Sequence, residues 1–95
     1  MPSLVVLRPG HEPQTVTLVS PYHVGRTPPN DLVLDDVRVS RHHLRYEKTE
    51  RGWEVSDDRS TSGMFMDDCR VNSPHLLNDG DTIRIADILL TFRVE

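Results

Sequence analysis

The stretch Thr82-Ile83-Arg84-Ile85-Ala86-Asp87-Ile88-Leu89-Leu90-Thr91-Phe92-Arg93-Val94 is built on alternation. Ile83 and Ile85 flank Arg84, and Ile88, Leu90, Phe92 and Val94 stand against Thr91 and Arg93. A period of two sends one set of side chains to a core and the other to solvent, which is the mark of half-buried strands. The same reading holds back along the chain. Trp53 and Val55 alternate with Glu54 and Ser56, Leu44 and Tyr46 with Arg45 and Glu47, and Val16 and Leu18 with Thr15 and Thr17; Leu4 to Leu7 is a continuous apolar run. Turn signals separate these runs at Pro9-Gly10, Pro28-Pro29-Asn30-Asp31, Glu50-Arg51-Gly52, Asp67-Asp68 and Asn78-Asp79-Gly80-Asp81. No window of about 11 residues carries helical three-four spacing. The 7 prolines fall in the first 30 residues and the 70s. The expected fold is therefore all-β: a two-sheet antiparallel sandwich of about 10–11 short strands.

At 95 residues the chain is expected to be one domain, residues 1–95, around one core. With 36% apolar and 27% charged residues and a net charge of -4, the composition is globular and speaks against a basic nucleic-acid module. The lone Cys69 has no disulfide partner, and no stretch has the length of a membrane span or the layout of a signal peptide. A reducing, cytoplasmic location follows as the expectation, with no insertion into a membrane. Of the 11 basic residues only Lys48 is a lysine, and arginine is the side chain that grips oxyanions with a fork of donors. Because the chain starts at its first strand and stops at its last, no tail of its own is expected to fill a binding site, so partners are expected in trans.

Two polar segments resist strand assignment, Asp35 to His42 and Asp57 to Gly63, and loops of a sandwich are where binding residues gather. Ser40, His42, His43 and Asp57 supply the residue types of a hydrolase, but no Gly-x-Ser-x-Gly turn is present and a sandwich this small offers little wall against water; no enzyme and no catalytic residue is expected. Adjacent His42 and His43 point to opposite faces of a strand, and Cys69 has no zinc-like spacing, so neither a metal nor a cofactor is expected. Anion recognition suits the residues better. Arg26 follows Gly25 at a strand end, Ser40-Arg41 sets a hydroxyl beside a guanidinium, and Thr61 and Ser62 set hydroxyls beside Gly63. Brought together, these make a phosphate site in outline. The competing reading is that each arginine pairs with a nearby acid, Asp35, Asp36, Asp57 or Asp58.

The ordered series of these pieces resembles the forkhead-associated (FHA) domain, a phosphothreonine-peptide-binding β-sandwich. Tyr22-His23-Val24-Gly25-Arg26 is similar to the strand ending in the family's Gly-Arg, Asn30-Asp31-Leu32-Val33-Leu34 to its Asn-Asp-hydrophobic-x-Leu, and Ser40-Arg41-His42-His43 to its Ser-x-x-His. Asp57 to Gly63 resembles its Asp-x-x-Ser-x-Asn-Gly segment, and Leu77 to Ile85 its closing Leu-x-x-Gly-Asp-x-Ile-x-Ile. The resemblance implies a signalling adaptor, downstream of Ser/Thr kinases, whose partner is a phosphothreonine-containing protein. Arg26 and Arg41 would hold the phosphate, Ser40 and Thr61 would donate to its other oxygens, Ser62 would lie along the peptide, Gly25 would let the backbone turn close to the site, and Gly63 would complete the second loop. His43 would be structural, keeping the Ser40 loop in shape. A small pocket for the threonine methyl would favour phosphothreonine over phosphoserine.

Three positions depart from the pattern. Ser62 stands where the family has Asn, which both donates to and accepts from the peptide backbone; serine is too short to span the gap. Met64 replaces a threonine. Asp67-Asp68 replaces an Asn-Gly turn and adds negative charge that would disfavour acidic residues in a peptide passing close by. The Ser62 change leaves open a phospho-independent scaffold domain with a drifted site. A nucleic-acid partner is disfavoured by net acidity and by the lack of aromatic residues beside the arginines.

Overall fold

The computed structural model describes residues 1–72 and 74–94. Among them the alternating runs form eleven strands and no helix: β1 (Ser3–Leu7), β2 (Gln14–Thr17), β3 (Tyr22–Gly25), β4 (Leu32–Val33), β5 (Leu44–Thr49), β6 (Gly52–Asp57), β7 (Met64–Met66), β8 (Cys69–Val71), β9 (His75–Leu76), β10 (Thr82–Ile85) and β11 (Ile88–Arg93). They assemble into a six-stranded sheet, β2-β1-β11-β10-β7-β8, and a five-stranded sheet, β4-β3-β5-β6-β9.

Register explains the core. Leu4 pairs with Phe92, Val6 with Leu90, Leu90 with Ile83, and Ile88 with Ile85, so one face of the larger sheet is wholly aliphatic and aromatic. Tyr22 pairs with Tyr46 and Tyr46 with Val55, giving the smaller sheet a matching face. All of these side chains are buried, and burying each contributes about 1.5–3 kcal/mol. Tyr46 is also an exception to polar satisfaction, since its hydroxyl is fully enclosed with no partner among the described residues. Burial pushes its phenol pKa well above the usual range.

One pairing departs from an all-antiparallel sandwich. β4 runs parallel to β3, with Val24 opposite Leu32 and Gly25 opposite Val33. Leu32 and Leu34 both drop into the core, and that anchoring lays the short strand along the edge of β3, where the amide of Leu34 donates to the carbonyl of Gly25 at 2.8 Å.

The site is set by a single row of the smaller sheet. Val24 lies opposite Leu44, and Leu44 opposite Asp57. Hence the end of β3, the start of β5 and the end of β6 are neighbours, and the loops attached to them leave from the same end of the sandwich.

Candidate functional site

The first of these loops, between β4 and β5, is stiffened by its own residues. The Asp36 carboxylate accepts the backbone amide of Arg38 at 2.8 Å and the guanidinium of the same residue at 3.0 and 2.7 Å. A further 2.7 Å bond joins that guanidinium to Asp87 in the turn between β10 and β11. Arg38 thereby holds the Asp36 carboxyl down at about 2. Val39 is buried, so the loop is pinned to the core just before Ser40.

His43 then ties three segments together. The Ser40 amide donates to Nδ1 at 3.1 Å and Nε2 lies 2.8 Å from the Gly63 carbonyl. Since Nδ1 accepts, Nε2 carries the proton and donates, which fixes the neutral tautomer. The His43 amide donates to the carbonyl of Val24 at 2.9 Å, and its carbonyl accepts the amide of Asp58 at 2.9 Å. Burial lowers the imidazole pKa below its ordinary 6.5, against smaller raising effects from the Gly63 carbonyl and Asp57. The sign of the linkage follows. Below pH 6.5 the unfolded chain takes up a proton that the folded imidazole resists, so this contribution is complete above pH 6.5 and is lost as pH falls through the depressed folded value. Urea denaturation between pH 7.5 and 5 is expected to show stability falling with pH, and His43→Gln, which does not titrate, is expected to fall less steeply. Equal slopes would rule out His43 as the source.

The loop between β6 and β7 has its own scaffold. Asp57 accepts both the amide and the hydroxyl of Ser60 at 2.8 Å, and Ser60 Oγ accepts the amide of Gly63 at 2.8 Å. Gly63 has φ +82°, a left-handed conformation that glycine adopts without strain. Two bonds cross to the first loop: Thr61 donates its amide to Ser40 Oγ at 3.0 Å, and the Ser62 hydroxyl reaches the Arg38 carbonyl at 3.5 Å.

Together these contacts bring Arg26, Ser40, Arg41, Thr61 and Ser62 to one open cleft of about 320 Å³, with Val37, Arg38 and Val39 as its remaining wall. Among the described residues no carboxylate lines it. Of the acids that stood as rival partners for the arginines, Asp36 is bonded to Arg38 and Asp57 to Ser60, Asp58 lies 3.9 Å from Arg59, and Asp35 lines a different depression beside Arg8 and Asp36. Among the described residues neither Arg26 nor Arg41 forms an ion pair. Ser40 Oγ accepts from Thr61 and donates to no described residue, so its proton is free for an incoming anion. Asp67 and Asp68 form the tight β7–β8 turn, both with positive φ, and line neither this cleft nor the clefts beside it.

Gly25 is the last residue of β3, and a Cβ there would overlap the backbone carbonyl oxygen of Arg41 and come within 2.5 Å of Asn30 Nδ2. Asn30 is a contributor that reading the sequence for chemistry passed over. It is 9% exposed, and its Nδ2 donates to the carbonyls of Thr27 and Arg41, both at 2.6 Å, clamping the Arg41 loop against β3. A signal for it existed, because Asn30, Leu32 and Leu34 continue one period-two face inward. His42, next to the buried His43, is exposed. Among the described residues no group of three metal-ligating side chains is present.

Comparison with known proteins places this geometry in context. The FHA domain family matches residues 22–86. The transcriptional regulatory protein EmbR of Mycobacterium tuberculosis is 42% identical over 71 residues, which is 75% of this chain and 18% of EmbR. A solved structure of Mycobacterium tuberculosis EmbR in complex with a low-affinity phosphopeptide superposes with a TM-score of 0.84 at 34% identity, over 99% of this chain and 24% of that one. The FHA domain of FhaA, solved with the intracellular domain of another protein, gives 0.85 at 26% identity over 98% and 100%. The chain thus spans between 18% and 24% of the length of EmbR and the whole of the isolated FhaA domain. With the family's matched segment covering both site loops and the strands that carry them, this chain belongs to the FHA domain family.

Proposed function

We propose that residues 1–95 act as one non-catalytic interaction module that binds a phosphothreonine segment of a partner protein in the cleft between the two loops. One observation carries the reading: Arg26 and Arg41 share a cleft that no carboxylate lines among the described residues, and neither forms an ion pair with any of those residues. Two unpaired cations with the Ser40 and Thr61 hydroxyls beside them match a group of about -1.5 to -2 charge with three acceptor oxygens. The backbone of the site is already held in place by His43, Asn30 and Asp57, so little ordering cost falls on binding. The net charge of -4 does not oppose this, because screening limits distant charges to about 8–10 Å. A partner phosphorylated by a Ser/Thr kinase in the cytoplasm suits a domain with one exposed cysteine and no disulfide.

Ser62 favours a second reading, a phospho-independent scaffold. Its hydroxyl turns toward the Arg38 carbonyl and is not held out for a peptide. Titration calorimetry with one peptide in phosphothreonine, phosphoserine and unmodified forms separates the two. The phosphothreonine form is expected to bind best, with phosphoserine about fivefold weaker for want of one buried methyl. Ser62→Asn is expected to strengthen phosphopeptide binding by about three- to tenfold through one or two added backbone bonds. Equal affinities for the phosphothreonine and unmodified forms would establish the scaffold reading.

A further inference from the structure

The phosphate cleft does not end at Arg41. A second depression of about 290 Å³ shares Ser40, Arg41 and Thr61 with it and continues past His42, Asp58 and Arg59. A third, of about 270 Å³, shares His42, Asp58 and Arg59 with the second and reaches His23, Pro29 and Asn30. Shared lining residues set the three depressions side by side across the end of the smaller sheet. An extended peptide with its phosphate on Arg26 and Arg41 has this path open to it.

The far end of the row is rich in acceptors. Asp58 presents a carboxylate that is one-third exposed. Asn30 turns Nδ2 to two carbonyls, and among the described residues its Oδ1 accepts no hydrogen bond, on a side chain that is nine-tenths buried and lines the pocket. Behind His23, Asp31 accepts that residue's backbone amide at 2.8 Å and sits 3.5 Å from its Nδ1. The imidazoles of His23 and His42 and the ring of Pro29 supply the walls. Arg59 supplies the only cation among the lining residues; it is 88% exposed and touches Asp58 at 3.9 Å, a loose pair in water that an incoming group displaces at little cost.

Resting on the reading of the phosphate cleft, we propose that this far pocket is a second recognition site, for a basic side chain of the same phosphopeptide. A guanidinium offers five donors in a plane, which suits a carboxylate and an amide oxygen together and stacks against imidazole. Specificity then comes from two places at once, the phosphate on Arg26 and Arg41 and a basic residue several positions along the chain on Asp58 and Asn30.

The test is a phosphothreonine peptide in an alanine-serine background, with arginine walked through the five positions on each side and a parallel series carrying glutamate. Fluorescence anisotropy is read for the wild type, Asp58→Asn and Arg59→Ala. Arginine is expected to raise affinity about three- to tenfold at one or two positions on one side only. In Asp58→Asn that gain, read as the ratio of arginine to alanine peptide, should fall below about twofold, and in Arg59→Ala the same ratio should rise. A uniform gain at every position, or one that survives Asp58→Asn, would mean diffuse attraction to a domain of net charge -4 and overturns the pocket. Preference for glutamate overturns it too and makes Arg59 the reading group. If phosphopeptides bind with no positional preference, this inference alone fails; if phosphate itself makes no difference, the cleft reading fails and takes this one with it.

Discussion

Arg26→Ala is expected to weaken binding of a phosphothreonine peptide by about ten- to a hundredfold and to leave the unmodified peptide unaffected. The magnitude comes from one charge-assisted contact to a phosphate, about 1.5–3 kcal/mol, in a cleft that no carboxylate lines among the described residues. Stability should hardly move. What anchors Arg26 to the fold is its backbone amide, which donates to the Ser40 carbonyl at 3.0 Å and survives truncation, and its side chain forms no ion pair among the described residues. Arg26→Lys should recover part of the loss, since it keeps the charge and gives up the planar fork. Calorimetry with both peptide forms, alongside a thermal melt, reads all of this. If Arg26→Ala kept the full difference between phosphorylated and unmodified peptide, the phosphate would not sit between Arg26 and Arg41, and the assignment of the cleft would fall.

The strands were legible where alternation ran for four residues or more. β5, β6, β10 and β11 follow from Leu44 with Tyr46, Trp53 with Val55, Ile83 with Ile85, and Ile88 with Leu90 and Phe92. Strands of two or three residues were not, because β4, β7, β8 and β9 are too short to show a period and are defined by the strands they pair with. The site divides the same way. Ser40, Arg41, Thr61 and Ser62 stand out as polar residues between good strands, whereas ion pairing across the fold cannot be read from neighbours in the chain. Asp36 lies near both Arg26 and Arg41 in sequence, yet it is taken by Arg38 together with Asp87, which is 49 residues from Arg38. Among the described residues Arg26 and Arg41 are left without an ion pair. The capture of Asp36 also gives Arg38 a task, as the stack of Arg84 on the Phe65 ring at 4.7 Å does for another of the surplus arginines.

Gly25→Ala is expected to have the largest effect on stability of any single methyl added near the site. Its Cβ would overlap the Arg41 carbonyl oxygen and stand 2.8 Å from the Arg41 carbonyl carbon, and both are backbone atoms that no rotamer change can move. Relief requires one of two shifts. If the Arg41 loop moves out, the bonds from Asn30 Nδ2 to Arg41 and from the Arg26 amide to Ser40 are lost; if β3 moves, the Leu34 bond to Gly25 and the register with β4 go. Overpacking costs about 1–3 kcal/mol and each broken bond about 1 kcal/mol more, so about 3–5 kcal/mol in all. A domain of this size has about 5–15 kcal/mol in total, so the melting temperature should fall by about 12 °C or more. Gly63→Ala is the informative comparison. It too is disfavoured, by φ +82°, but the atoms that its Cβ would meet belong to the exposed Arg70 side chain, which can swing away. Its cost should stay near 1–2 kcal/mol. Urea denaturation of the two variants side by side therefore separates a backbone collision from a conformational preference. Should Gly25→Ala prove no less stable than Gly63→Ala, the close approach of β3 to the Arg41 loop would not be what makes glycine necessary there.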